Sequence, residues 1–389
     1  MSRLNELIQS ICPNGIEYKN LKDVLSIERG KRVVKKQLSE VHGYPVYQNS
    51  LTPLGLYVEY NCPENTAFVI MAGAAGEIGY SRERFWAADD CFAIVCPSSI
   101  CSKYIYHVLL NEQMVLKRNV RKASIPRLSR DTLECLKIPL PPLAVQQEIV
   151  RILDSFTELT AELTAELTAR RKQYEHYRDE LLTFDGSVKR MALKDVCIKV
   201  QDVNYGKEYP SKSELLKSGV PLINGKAIHG TICKEALDFI SEEKNEELKK
   251  ARIATDDVLF LNRGNIGETA YVPSEFDNCN IGPQVTLLRA NKSKILPKYL
   301  EFALHSKDVR NFISRVGGGT IKFLSVEPIR QLEIPVPPLA IQKQIVSVLA
   351  RFDTLCNDLT SGLPAEIAAR QKQYEYYRDK LLTFKELER

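Results

Sequence analysis

The chain contains no run of about 18 consecutive apolar residues, which excludes a helix buried across a bilayer. Its opening, Met1-Ser2-Arg3-Leu4-Asn5-Glu6, lacks the apolar segment of a secretory leader, and a cytoplasmic location is expected. Histidine is scarce, five in 389 residues, and HExxH is absent, so neither a metal site nor a catalytic triad is legible. The ten cysteines include no CxxC pair. Cys91, Cys96 and Cys101 recur at intervals of five, wider than zinc ligands usually stand, and read as reduced, mostly buried thiols. There is no GxxxxGKS/T phosphate loop, since Gly225-Lys226 lacks the rest of it. GxGxxG and the Asn/Asp-Pro-Pro-Tyr/Phe motif of amino methylation are missing as well. The run Gly73–Gly79 looks like a cofactor loop only superficially, because its later counterpart lacks the last glycine. A turn inside a sheet is the better reading. No cofactor and no catalytic site are therefore expected in this chain. Charge of one sign is also lacking: 54 basic against 49 acidic residues leave a net +5, too little by itself to indicate a nucleic-acid partner.

What is present is repetition. Ile138-Pro139-Leu140-Pro141-Pro142-Leu143-Ala144 recurs as Ile334-Pro335-Val336-Pro337-Pro338-Leu339-Ala340. Each copy runs into an apolar-periodic segment, and these end almost identically at Lys172–Phe184 and Lys372–Phe384. The preceding parts echo each other more faintly: Leu21-Lys22-Asp23-Val24 with Leu193-Lys194-Asp195-Val196, and Gly73-Ala74-Ala75-Gly76-Glu77 with Gly264-Asn265-Ile266-Gly267-Glu268. Lys103-Tyr104 likewise matches Lys298-Tyr299, all in one order. One globular fold followed by one helix is thus written twice. The helices are near-copies while the globular parts share a skeleton only, as suits a protein that reads two different things with one scaffold.

Each proline pair starts a helix, because proline tolerates only the first turn. Val145, Ile149, Ile152, Phe156, Leu159, Leu163 and Leu167, continued by Tyr174, Tyr177 and Leu181, make a stripe at helical spacing. Roughly 40 residues at about 1.5 Å each span about 60 Å. The second stripe uses Ile341, Ile345, Val348, Leu349, Phe352, Leu355 and Leu359, and the two are expected to bury against each other. The first carries the tandem tetrad Thr160-Ala161-Glu162-Leu163 and Thr164-Ala165-Glu166-Leu167; the second has Ser361-Gly362-Leu363-Pro364 there, which should kink or break it. A tetrad adds about 6 Å and about 40° of turn, so it is either a bland spacer or a ruler worth about one to two base pairs of separation. The globular halves read as mixed α/β, with buried strands at Ala67–Ala72 and Val258–Leu261 and helices at Lys103–Leu116 and Pro297–Ser314.

Basic residues cluster in the first half as Arg29, Lys31, Arg32, Lys35 and Lys36, and again as Lys117, Arg118, Arg121, Lys122, Arg127 and Arg130. Six of the fourteen residues in Lys117–Arg130 are basic and none is acidic, which fits a phosphate-contacting face as well as a solvated helix end. Gln48 and Asn49, and Asn224 in the second half, carry amides able to read adenine edges. The second half offers Lys199, Gln201, Lys226, Arg263, Asn265, Arg315 and Lys322. Gly317-Gly318-Gly319 is either a close approach to phosphate or a loop tip. The acidic run Glu242–Glu247 reads as an exposed helix turned away from DNA or toward a basic partner.

The paired segments Ile138–Ala144 with Lys172–Phe184 and Ile334–Ala340 with Lys372–Phe384 resemble the repeated helical regions of type I restriction–modification specificity subunits. The tetrads look like the spacer repeat of some members. Glu17–Lys31, with Glu28-Arg29-Gly30-Lys31, is similar to the usual opening of their recognition domains. The resemblance covers essentially the whole chain. It implies an α+β architecture of two mixed α/β target-recognition domains, 1–138 and 187–334, separated by two long antiparallel coiled-coil-like helices in 139–186 and 335–389. It further implies that each domain reads one half of a split double-stranded DNA site and that the helices set the gap. The helices would dock two methyltransferase subunits bringing S-adenosylmethionine, and restriction/translocase subunits using ATP and magnesium would complete the assembly. Tyr174, Tyr177, Arg178, Tyr374, Tyr377 and Arg378 are the expected partner contacts, and no base-reading residue can be carried over. The rival readings are a helical scaffold whose globular ends bind proteins, and a hybrid methylation complex that borrows such a subunit.

Overall fold

The structure, a computed structural model, describes residues 2–202, 209–317, 323–358 and 361–387. It divides into two compact units, unit 1 from residues 1–163 and 367–389, and unit 2 from residues 164–366.

Unit 1 begins with α1 (Ser2–Ile11), β1 (Tyr18–Asn20), α2 (Leu21–Val24), β2 (Ser26–Arg29), β3 (Tyr44–Tyr47) and β4 (Leu56–Tyr57). It continues through β5 (Thr66–Ile70), β6 (Ile78–Ser81), β7 (Trp86–Ala87), β8 (Cys91–Val95), α3 (Ser102–Asn111), α4 (Gln113–Arg118), α5 (Arg130–Glu134) and β9 (Lys137–Pro139) to the long α6 (Leu143–Leu181). Its main sheet is antiparallel in the order β2-β8-β5-β6, with a smaller sheet β4-β3-β7 and the pair β1-β9. The apolar run in β5 lies inside this sheet, buried throughout, as an unbroken hydrophobic strand must be. Gly30 ends β2 where its N–H bonds the Cys91 carbonyl at 3.0 Å. A side chain there would meet the Ala88 carbonyl oxygen at 2.1 Å, so only glycine fits.

Unit 2 starts inside α6 and adds β10 (Arg190–Ala192), α7 (Leu193–Val196), β11 (Cys197–Asp202), β12 (Val220–Ile223), β13 (Asp238–Ile240), α8 (Glu242–Glu247), β14 (Val258–Leu261) and β15 (Thr269–Tyr271). Then follow β16 (Asn280–Ile281), β17 (Val285–Ala290), α9 (Pro297–Leu304), α10 (Lys307–Gly317), α11 (Val326–Arg330), β18 (Glu333–Pro335), α12 (Leu339–Asn357) and the start of α13 (Leu363–Leu382). Its sheets run β11-β17-β14-β15, β13-β12-β16 and β10-β18, the topology of unit 1 strand for strand. The duplication read from faint sequence echoes is therefore a duplication of fold, and the α+β class holds. Among the described residues no helix is long and apolar enough to cross a membrane.

Three expectations change in detail. The single helix read over 103–116 is α3 and α4, broken at Glu112 (φ −87°, ψ 3°); the break lets Gln113 donate to the Gly76 carbonyl at 3.2 Å. The one read over 297–314 is α9 and α10, broken at His305 (φ −94°, ψ 6°), whose ring bonds the Thr269 hydroxyl at 2.7 Å. The helical stripes do not begin by facing one another. Val145, Ile149 and Leu153 of α6 enter the core of unit 1 with Tyr104, Ile105 and Leu109. Ile345 and Leu349 of α12 enter that of unit 2 with Tyr299 and Leu300. Contacts between helices include aromatic pairs: Phe156 stacks on Tyr377 of α13 at 5.2 Å in unit 1, and Phe352 meets Tyr177 of α6 at 5.5 Å in unit 2. The expected break falls between α12 and α13, with Gly362 just before α13 and Pro364 in its first turn. Leu359 lies outside the described residues.

The helices are tied to their domains by two repeated polar clamps. Gln146 accepts from the Cys101 N–H at 2.9 Å and donates to the Pro141 carbonyl at 2.8 Å. Gln342 repeats this with Leu296 and Pro337, both at 2.8 Å. The buried Tyr104 and Tyr299 hydroxyls donate to the Pro139 and Pro335 carbonyls at 3.1 and 3.0 Å.

His305 gives unit 2 an acid-sensitive joint. Burial first, and then the charges of Arg178 and Arg310, pull its pKa from 6.5 down to about 4. The fold thus holds a neutral imidazole that the unfolded chain would protonate. The resulting stabilisation is complete above pH 6.5 and is lost as pH falls toward 4, a span of about 3 kcal/mol. Hydrogen exchange at β14 and β17 amides should show that loss in the wild type and a flatter profile in His305→Gln. Equal profiles would refute the assignment.

Candidate nucleic-acid interface

In unit 1 the β5–β6 turn gathers several segments that are distant in the sequence. Gly73 (φ +82°) and Gly76 (φ +84°) give it a shape that other residues rarely adopt. The Ala74 N–H bonds the Asn49 carbonyl at 2.9 Å, and the Gly73 N–H bonds the Pro126 carbonyl at 3.1 Å. Arg127 bridges by backbone to Ala72 and to Arg121. Lys117 reaches Glu77 at 2.7 Å. Beside the turn, Gln48 donates to Asp89 at 3.4 Å and Arg29 to the Asp89 carbonyl at 3.1 Å. Arg29, Arg127 and Arg130 line one depression of about 170 Å³ with Asp89 and Asp90. The structure therefore brings together Arg29, Gln48, Asn49, Lys117, Arg121 and Arg127, with the exposed Arg118 and Lys122 adjoining in sequence. Lys31, Arg32, Lys35 and Lys36 are exposed on the separate segment that follows β2.

The side chains of Arg118, Arg121, Lys122 and Arg127 have no carboxylate partner among the described residues. Such cations are available to phosphates without stranding an acid. Unit 2 repeats the turn with Gly264 (φ +80°) and Gly267 (φ +94°), and its cations are engaged differently. Lys226 and Asn224 both bind Asp238 at 2.7 Å, and the Tyr209 hydroxyl donates to Asn224 at 2.9 Å. Lys199 donates to the Lys250 carbonyl at 2.7 Å, and burial, then Arg289, lowers its pKa. Arg263 lies over the Phe323 ring at 5.1 Å, and Arg315 donates to its own helix at Asn311. Lys322, Gly318 and Gly319 lie outside the described residues. Gln48 and Asn224 occupy matching positions after β3 and β12, a correspondence that appears only once the strands are aligned.

Of the six residues expected to meet a partner, most are engaged within the chain. Tyr374 is 6% exposed, and its hydroxyl bonds His107 at 3.1 Å. His107 and Lys103 in turn hold Asp154, at 3.4 and 2.8 Å. Arg178 and Arg378 lie over the rings of Tyr174 and Tyr374, at 5.6 and 5.5 Å. Tyr377 stacks on Phe156, while Tyr177 keeps 37% of its surface exposed. Much of the near-identity of Lys172–Phe184 and Lys372–Phe384 thus reflects how each segment closes onto its own unit. This was not legible in the sequence, because the receiving residues, His107 and Asp154 in unit 1 and Arg310, which pairs with Asp179 at 2.7 Å in unit 2, are remote in the chain. Among the described residues, no group of histidine, cysteine or carboxylate side chains is arranged to hold a metal ion.

One fold built twice, each copy with a surface differentiated around the same glycine turn, defines a duplicated recognition protein. Comparison with known proteins agrees. The type I restriction modification DNA specificity domain matches residues 13–170 and 187–369, and the chain belongs to that family of type I specificity subunits. It is 32% identical to a putative type I restriction enzyme specificity subunit of Haemophilus influenzae, covering 95% of this chain and 96% of the relative. It is 31% identical to the EcoR124I/EcoR124II specificity subunit of Escherichia coli, covering 95% and 89%. The fold resembles the type I S subunit of M. genitalium with a TM-score of 0.64 at 17% identity, covering 95% and 96%. These are specificity domains, not catalytic ones, and the scaffold reading is not favoured.

Proposed function

We propose that this chain reads a bipartite double-stranded DNA target, one half-site per globular domain, and sets the unspecified gap with its helices. The observation that carries this reading is the cationic surface beside the Gly73–Gly76 turn, where Arg118, Arg121, Lys122 and Arg127 have no carboxylate partner among the described residues, on a fold present twice. Contacts to phosphate fall to Arg118, Arg121, Lys122 and Arg127, with Arg29, Lys31, Arg32, Lys35 and Lys36 beside them. Base reading falls to Gln48 and Asn49. In the second domain Arg263, Lys226, Lys199, Arg315 and Lys322 serve. Domain limits near 138, 187 and 334 follow from the same reading. The chain works in the cytoplasm with two methyltransferase subunits that supply S-adenosylmethionine, and with restriction subunits that use ATP and magnesium. Gel shifts of the chain, alone and with the methyltransferase, test this. Salt-sensitive, sequence-selective binding is expected, and its absence from both samples would sink the proposal.

The tetrads act as the ruler. The division between the compact units falls at Leu163/Thr164, inside them, which supports a spacer role. Inserting one more Thr-Ala-Glu-Leu after Leu167 should lengthen the gap by about one to two base pairs and leave both half-sites unchanged. Methylome sequencing reads this outright, and an unaltered gap would end the ruler idea.

A further inference from the structure

Asp89 stands on the cationic surface of unit 1 without a cation to pair with. It is half-buried between β7 and β8 and lines the same depression as Arg29 and Arg127, yet makes no ion pair among the described residues. Its contacts are of another kind: the Gln48 amide donates to its Oδ1 at 3.4 Å, and Arg29 Nε donates to its backbone carbonyl at 3.1 Å. Asp90 lines the depression too, but it is Asp89 that is tied to Gln48 and Arg29. An acid in this place works against phosphate binding, because it repels the charge that Arg121, Lys122 and Arg127 attract.

The fold does not require that acid. The Ala88 N–H bonds the Tyr47 carbonyl at 2.8 Å, the Cys91 N–H the Ala88 carbonyl at 2.9 Å, and the Met71 N–H the Asp90 carbonyl at 2.8 Å. In unit 2 the N–H groups of Gly282, Val285 and Asn262 repeat these bonds to Ile223, Gly282 and Gln284, at 2.9, 3.1 and 3.0 Å. Asp89 therefore corresponds to Pro283, whose side chain has no acceptor, and one backbone path serves both. A position that changes from carboxylate to proline on an unchanged turn is free to carry a choice between sequences.

The chemistry narrows what is chosen. A carboxylate only accepts, so it calls for a donor. On the major-groove edge cytosine offers the N4 amine alone, whereas adenine adds an acceptor at N7. Arg29 Nε is engaged by the Asp89 carbonyl, and its Nη groups have no partner among the described residues. They can donate to two acceptors, which guanine presents at O6 and N7. An acceptor and a donor fork joined through one residue match the two halves of a single G·C pair.

We infer that Asp89 and Arg29 read one G·C pair in the half-site of the first domain, Asp89 accepting from cytosine N4 and Arg29 donating to guanine O6 and N7. This rests on the proposed function and moves Arg29 from phosphate to base. Gln48, tied to Asp89 through one N–H, keeps its other N–H and its carbonyl for a neighbouring pair.

The test is selection from a randomised, fluorescently labelled duplex pool by the full chain with its methyltransferase subunit, followed by anisotropy on the selected duplex. The wild type should return a G·C pair in one half-site whose exchange for A·T weakens binding about tenfold. Asp89→Asn should lose the preference at that pair and leave the other half-site unchanged. It should also bind unrelated duplex more tightly, by a factor on the order of 3, because one repelling charge is gone. A residue that merely held the turn would instead weaken cognate and unrelated duplexes together, and that result would refute the assignment. Asp89→Glu keeps the carboxylate and should retain part of the preference. Replacing the guanine by 7-deazaguanine should weaken the wild type and not Arg29→Gln. Fluorescence of Trp86, close by in β7, checks that each variant is folded. Sequence-selective wild-type binding, with the same sequence selected by Asp89→Asn and Arg29→Gln, would overturn this inference alone. A wild type that binds no duplex would overturn the proposed function.

Discussion

The triple variant Arg121→Gln/Lys122→Gln/Arg127→Gln is expected to bind duplex DNA about a hundredfold more weakly at about 0.15 M salt. Its log-affinity against log-salt slope should be shallower by about 2.7, three phosphate contacts at about 0.9 each. The loss should be alike on cognate and unrelated duplexes, because phosphate contacts position the protein and carry no sequence information. These three are chosen over their neighbours on structural grounds. Lys117 pairs with Glu77 at 2.7 Å and Arg130 with Glu134 at 2.6 Å, so removing either would free a carboxylate and confound repulsion with lost attraction. Arg121, Lys122 and Arg127 are exposed, and their removal should leave the melting profile unchanged. The same logic predicts a smaller and less clean effect from Lys226→Gln, which would strand Asp238. Fluorescence anisotropy across a salt series measures both quantities, and a slope equal to that of the wild type would refute the assigned surface.

The parts of this molecule that sequence makes legible are those carried by local rules. Proline pairs, a seven-residue spaced stripe and the Gly362/Pro364 interruption are constraints on neighbouring backbone, and α6, α12 and the break before α13 appear where those rules put them. The glycine turns were legible for the same reason, since a left-handed backbone is a local demand. What they gather was not. Asn49, Lys117 and Pro126 converge on Gly73–Gly76 through long-range strand order, β2-β8-β5-β6, which no spacing in the sequence announces. The charge state of the two surfaces differs for a similar reason. Lys226 and Arg127 look alike as residues, and only the fold puts Asp238 beside one and no carboxylate partner beside the other.

Gln342→Leu should destabilise unit 2 by about 3–5 kcal/mol, and the reason lies in an asymmetry of hydrogen bonding. The side chain is fully buried. It accepts from the Leu296 N–H at 2.8 Å and donates to the carbonyls of Lys294 and Pro337 at 3.0 and 2.8 Å. Leucine fills nearly the same volume, so little cavity cost arises, but three backbone groups lose their partner at about 1–3 kcal/mol each. Gln146→Leu removes two such bonds and should cost less, about 2–4 kcal/mol in unit 1. The substitution Gln344→Leu, two residues along on the exposed side of α12, is the control and should cost little. The chain's only tryptophan, Trp86, reports on unit 1, so its fluorescence follows Gln146→Leu, while hydrogen exchange at the Leu296 amide follows Gln342→Leu. The functional consequence separates rigidity from contact. Neither glutamine lies on the cationic surface, so each half-site should still be recognised. Affinity for the bipartite site should nevertheless fall, because the helix that sets the gap is no longer held to its reader. An unchanged exchange rate at Leu296 would show that the clamp contributes no stability and would remove it as the element that couples spacing to recognition.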